Sequence, residues 1–172
     1  MRTLSLVIYW CCNLVLFVTP LLFLLSVFET SLFTNMIRRS LNLQIQWHTV
    51  GDVQWIVLWC SMFVFIGIGY AGIYFLRKSF QNFAAGDWFS LSNSLNVNRF
   101  AKLLLVQSIA TPILFTVSGL ILSFNHPPGQ KILALSFGTN EFKGVMVSII
   151  FLVISHILVV GHNIDDENKH FL

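Results

Sequence analysis

An all-α membrane protein with four transmembrane helices is the fold class this sequence predicts, and three observations predict it. Of its 172 residues, 56% are hydrophobic and only 10% are charged, against roughly 25% charged residues in a soluble domain. Four apolar runs, near residues 4–28, 53–76, 103–124 and 144–160, have the length of about 20 residues that a helix needs to cross a hydrocarbon core about 30 Å thick. The cationic residues gather at the ends of those runs, where they set topology, and form no basic patch of the kind that binds nucleic acid directly. The chain is therefore read as one four-helix transmembrane domain over 1–172, with no room for a separate soluble domain.

The first run follows Arg2. It is too long for the apolar part of a signal peptide, and Glu29, Thr30 and Ser31 offer no small-residue cleavage site, so the segment is expected to stay in the mature protein. Pro20 lies inside it and is a candidate kink. In the loop that follows, Leu41, Leu43, Ile45 and Trp47 alternate with Asn42, Gln44, Gln46 and His48, the period of two that marks a half-buried strand. Its candidate partner is Lys131 to Phe137 in the third loop, bounded by Pro127, Pro128 and Gly129 before it and Gly138 after it. Two readings stand: a small outer sheet pairing loops 1 and 3, or an interfacial helix over 32–47 with 131–137 dipping toward lipid headgroups.

The second run ends against Arg77 and Lys78, and Gly67, Gly69, Ala71 and Gly72 thin one side of it. Small residues let a neighbouring backbone approach closely, so this is expected to be a packing face. Beyond Leu76 the helix can continue to Ala85, where Gly86 offers a left-handed stop. Asp87, Trp88 and Phe89 make the turn, and Ser90 or Ser92 supplies an N-cap hydroxyl for a third helix running from about 91 to 124. Leu91, Leu95, Val97 and Phe100 are spaced to face the preceding helix, with Asn93, Asn96, Asn98 and Arg99 facing water. At 1.5 Å per residue such a helix is roughly 50 Å long, so helices 2 and 3 are expected to extend into the cytoplasm as a hairpin whose elbow is 77–102.

Four spans place both termini and the elbow on one side. That side carries Arg2, Arg77, Lys78, Arg99, Lys102 and Lys169; the other carries Arg38, Arg39, Lys131 and Lys143. The positive-inside bias then reads both termini as cytoplasmic.

No catalytic, cofactor or metal constellation stands out, and the chain is not expected to be an enzyme. Haem between facing histidines fails on depth, because His126 falls at one end of its span while His156 and His162 fall toward the other end of theirs. Cys11 and Cys12 are likewise separated in depth from Cys60, so no disulfide is expected. His162, Asp166 and His170 recur every four residues, but three such residues over two turns are common by chance. Two candidate groupings remain. Tyr9, Asn13, Tyr70, Gln107 and His156, with Ser108, fall near one depth and could form an intramembrane polar layer. Arg77, Lys78, Asp87, Trp88, Phe89 and Arg99, with the acidic turn Asp165, Asp166 and Glu167, form a cytoplasmic contact surface on which the acids could pair with Arg77, Lys78 or Arg99 or with a partner's basic face.

The elbow residues Gly86, Phe89, Ser90, Asn93, Val97 and Arg99, together with Gly161, Ile164, Glu167 and Asn168 after the last run, carry a resemblance. They resemble a bacterial membrane family known as domain of unknown function 2975, over most of the chain from about Trp55 onward; the Lys169 of this chain departs from the Asp usual in the family. The resemblance implies a bacterial inner-membrane protein with no attached enzymatic activity, often encoded beside a small helix-turn-helix regulator, and hence the membrane half of a sensing or regulatory pair. The sequence expectation is therefore a non-enzymatic regulatory membrane partner that docks a cytoplasmic protein through the elbow and acidic tail. Its alternatives are a small transport or proton-handling subunit using the layer around His156, and a membrane immunity or stress protein acting through the outer loops at Trp47 to Asp52 and 131–137. Lipid and a second copy of the chain complete the expected partners.

Overall fold

The computed structural model describes residues 2–28, 34–35, 45–127, 129–133 and 137–170, the side chains of 27, 28 and 168–170 excepted. Among these residues all regular structure is helical. α1 is Arg2–Phe28, α2 Asp52–Ala85, α3 Leu91–Leu122 and α4 Thr139–His170, with a 3-10 turn at Trp47–Thr49. All four α-helices are long and apolar enough to cross a membrane, which makes the chain a multi-pass membrane protein.

The ends of α2 and α3 follow from local chemistry. Gly86 closes α2 in the left-handed region at φ 93°, with its N–H donating back to Asn82 and Phe83 carbonyls, a conformation in which a side chain would be strained. Ser90 caps α3, its hydroxyl accepting from the Asn93 N–H at 3.4 Å. α3 also tolerates Pro112 in its interior. The Thr116 hydroxyl donates to the Pro112 carbonyl at 2.9 Å, and a proline ring leaves one carbonyl of the preceding turn without its N–H donor.

The helices pack in chain order: α1 on α2, α2 on α3, and α3 on α4. Phe23 of α1 meets Trp59 and Phe63 of α2 at ring separations of 5.6 and 5.7 Å. Of the small-residue face of α2, Gly69 and Gly72 meet α3, while Gly67 faces open space. A Cβ at Gly69 would stand 3.0 Å from the Gln107 amide, and one at Gly72 would touch Leu103 and Phe100. On the other side of α3, Gly144 lies beside Ser108, Phe151 packs edge-on to Phe100 at 5.0 Å, and the Ser94 hydroxyl donates to the Ser155 carbonyl at 2.9 Å.

These contacts correct the expected depths. The apolar run of α4 lies beside the first half of α3, whereas the two apolar runs were expected to stand side by side at one depth. Gly144 reaches only as far as Ser108, and Gly161 stands at the elbow against Phe89. The register is set by how small residues on α4 fit particular side chains on α3, a long-range condition that hydropathy does not contain.

At the end away from the elbow, Ile45, Leu58 and Leu122 are buried together, covered by Trp47, Trp55 and Ile132 among others. The expected strand pairing falls partly outside the described residues, which omit 41–44 and 134–136. The loops do meet: Gln46 donates through its side chain to Gln130 at 2.9 Å and through its backbone to His126 Nε2 at 3.2 Å. Trp47 and His48, which the strand reading placed at the end of the alternation, lie in the 3-10 turn Trp47–Thr49. There the Thr49 hydroxyl donates to the Gln46 carbonyl, a local bond that competes with extended pairing.

Candidate functional site at the elbow

The elbow is built around a buried asparagine. Asn93 is fully buried; its Nδ2 donates to the Asp87 carbonyl and its Oδ1 accepts from Asn82 at 2.8 Å. One carboxamide thus ties the last turn of α2, the turn itself and the first turn of α3 together. This corrects the expected faces of the first turns of α3, while Val97 and Phe100 face inward and Arg99 outward as expected. Asn93 and Asn96 point inward at 0% and 6% exposure, while Leu91 and Leu95 are 49% and 47% exposed; Val97 alone of the expected apolar positions is fully inside. Asn98 continues the polar seam, donating to the Ser155 hydroxyl at 3.0 Å, which itself donates to the Leu152 carbonyl. The buried amide of Asn93 is tolerated because it finds partners.

Aromatic rings surround that polar core. Trp88 is half-buried and stacks on Phe83 at 5.3 Å and 14°. Phe89 is exposed but rests where Gly161 has no side chain, since a Cβ there would stand 2.5 Å from its ring. The two short motifs that carry the family resemblance, from the elbow and from the last helix, therefore meet in space. An apolar cavity of about 300 Å³ opens beneath them, lined by Leu76, Phe80, Phe83, Trp88, Val97 and Leu158 among others.

The cations form a belt on the helix side of the elbow, each over an aromatic face. Arg77 lies 5.4 Å from the Tyr9 ring centroid, Lys78 4.9 Å from that of Tyr74, and Arg99 5.3 Å from that of Phe75. Arg77 also donates to the Tyr9 hydroxyl at 3.4 Å, while its buried Nε has no partner. Such pairs fix long cationic side chains at modest gain. Asp87 is exposed at the tip. α4 runs on past the Phe89 contact, and Asp166 and Glu167 are exposed on its last turns with Asp165 half-buried beside them.

Asn98, next to Arg99, meets Ser155, and Asp165 lies ten residues further along α4, about 15 Å, so the backbone of Arg99 and the acidic turn stand at different levels of one end.

The expected polar layer is likewise divided. Tyr9 joins Arg77, and Asn13 donates back to the Tyr9 carbonyl at 2.9 Å. Gln107 lies over Gly69, and Tyr70 is exposed. His156 is exposed on α4 at the level of Asn98, more than two helical turns toward the elbow from Gln107. The register of α4 removes it from the group.

A second polar cluster was not anticipated as a unit. Gln54 accepts from the Gly51 N–H at 2.6 Å and from Asn125 at 2.9 Å, and donates to the Ile121 carbonyl at 2.6 Å. Buried His126 accepts from Gln46 through Nε2 and faces the Gln130 carbonyl with Nδ1 at 3.2 Å. One sequence signal for it existed: a glutamine three residues into a helix reaches back to the N-cap backbone.

Against family models, residues 43–170 match the one described as Protein of unknown function (DUF2975). No curated protein and no solved structure matches the chain.

Proposed function

Because the chain belongs to the DUF2975 family of proteins of unknown function, we propose from its own geometry that it is a non-enzymatic inner-membrane protein that docks a soluble cytoplasmic partner at the elbow. The observation that carries this reading is the division of labour at that end. Asn93, Ser94, Asn98 and Ser155 spend their polar groups inward on structure, while Asp87 and Glu167 are exposed beside them. An exposed acidic turn on a helix that outruns its neighbours suits a partner with a basic face, and the helix-turn-helix regulator implied by the family resemblance is such a class. The cationic belt, laid over Tyr9, Tyr74 and Phe75, supports a membrane boundary at that level, with the elbow on the cytoplasmic side.

The test is photocrosslinking from Asp87, which is exposed where Trp88 is half-buried. With a photoreactive residue at 87 in native membranes, mass spectrometry should recover one soluble protein, and recovery should fall at least five-fold when Asp166→Asn and Glu167→Gln are combined. Recovery of only lipid or the chain itself would contradict the proposal.

A further inference from the structure

Loop 1 is fastened to loop 3 through one imidazole. His126 is buried at 5% exposure, and both ring nitrogens are engaged across the two loops. The Gln46 N–H donates to Nε2 at 3.2 Å, and Nδ1 stands 3.2 Å from the Gln130 carbonyl oxygen. These two partners fix both the tautomer and the charge. A carbonyl can only accept, so Nδ1 carries a proton; a backbone N–H can only donate, so Nε2 carries none. The bridge exists only while the ring is neutral.

Protonation turns the bridge into a wedge. An imidazolium donates from both nitrogens, which sets an Nε2–H against the Gln46 N–H at a buried site, while the Nδ1 bond to Gln130 survives. A buried donor without an acceptor is costly, and withdrawal of Gln46 relieves it. The Gln46 side chain also donates to Gln130 at 2.9 Å, and Asn125 donates to the Thr49 carbonyl at 3.0 Å, but both bonds are open to water, which competes for the same groups. Ile45, next to Gln46, is buried with Leu58 and Leu122, so its departure uncovers that cluster.

The charges around the ring do not oppose this. Among the described residues of this end, His48, Asp52, Lys131 and Lys143 are exposed. The Lys131 ammonium lies 5.1 Å over the Phe124 ring, and the Glu141 carboxylate accepts from the Gly138 N–H at 2.8 Å. α1 from Leu14 to Phe28 and α3 from Leu103 to Leu122 contain no ionisable acid or base. The imidazole's own partners, Gln46 and Gln130, are uncharged.

We infer that His126 is an acid-operated latch. Proton uptake by its imidazole releases Ile45 and Gln46 from loop 3 and uncovers the apolar cluster beneath, so the loop end reads the proton concentration on its side of the membrane. The released ring can hold one proton more than the latched ring, so the released population grows as pH falls, by at most about ten-fold per pH unit. Histidine is the side chain suited to this, changing charge between about pH 5 and 8. The latch depends on neither the sidedness of the elbow nor any partner there.

The test is a spin-label distance across the two loops in the full-length chain, reconstituted in lipid nanodiscs. In a background carrying Cys11→Ser, Cys12→Ser and Cys60→Ser, the labels sit on His48→Cys and Leu133→Cys. Both positions are exposed, and the first substitution also removes the other histidine described at this end. Pulsed dipolar spectroscopy should give one short distance at pH 7.5 and a longer population at least five-fold larger at pH 5.0. His126→Gln keeps an amide donor and acceptor but does not titrate, and should lose the acid response. Gln46→Pro removes the N–H from a residue whose φ of −82° lies close to that of proline, and should lose it as well. An unchanged distribution between pH 7.5 and 5.0 in the labelled parent would overturn the inference. So would an acid response as large as the parent's in either variant.

Discussion

The two ends of this molecule bury polar groups alike and differ in the charges they leave outside. At the loop end, Gln54, Asn125, His126, Gln46 and Gln130 bond to one another and to backbone over the buried pair Leu58 and Leu122, with Asp52 and Lys131 exposed around them. At the elbow, Asn93 and its neighbours are consumed in the same manner, and the charges exposed beyond the cationic belt, Asp87 and Glu167, are acidic. The contrast teaches that polarity alone does not locate function in a membrane chain. A buried polar residue that has found its partners is structure, and the sign of the charge exposed on a fixed frame is what a partner can read.

Four substitutions sharpen that contrast. Leu122→Ala, at a fully buried site, should be the most damaging. Truncating a core leucine costs about 2–4 kcal/mol, read as a lowered thermal midpoint in detergent, with capture of a partner from position 87 unchanged below that midpoint. Asn93→Leu should follow. It strands the Asn82 amide and the Asp87 carbonyl at a cost of about 1–3 kcal/mol, and unlike Leu122→Ala it should also reduce capture, because the turn that presents Asp87 loosens. Ser90→Ala removes one cap and should cost about 0.5–1 kcal/mol by the same melt. His156→Leu should change the midpoint by less than about 0.5 kcal/mol, since the imidazole is exposed and apart from Gln107; a large loss would revive the polar layer and erase the distinction between spent and exposed groups.

What could be read from the sequence, and what could not, divides along the range of the interactions involved. Helix 2 stops at Gly86 and helix 3 starts at Ser90 because a left-handed glycine and a cap hydroxyl act within one turn, and both are visible in the string. Four spans were legible for the same reason: apolar length is a local property. The inward turn of Asn93 was not, because its partners are Asn82 and Asp87, and a pattern of polar and apolar letters cannot say that a carboxamide will be satisfied inside. The register of α4 was hidden more deeply. It rests on Gly144 beside Ser108 and Gly161 beside Phe89, pairs more than thirty residues apart, and it alone separates His156 from Gln107. At the candidate site, Arg77, Lys78 and Arg99 could be grouped from the sequence because each falls near the end of an apolar run, but their aromatic partners required the fold.

The elbow can serve as a cytoplasmic docking end only if it faces the cytoplasm, and sidedness can be measured directly. In a cysteine-free background, Asp87→Cys and Gln130→Cys report the two ends, since Asp87 is exposed at the elbow and Gln130 is exposed at the loop end. A membrane-impermeant maleimide applied to intact cells with a permeable outer envelope is expected to label Gln130→Cys at once and Asp87→Cys only after lysis. Immediate labelling of Asp87→Cys with protection of Gln130→Cys would place the elbow outside and contradict the assignment of the docking face.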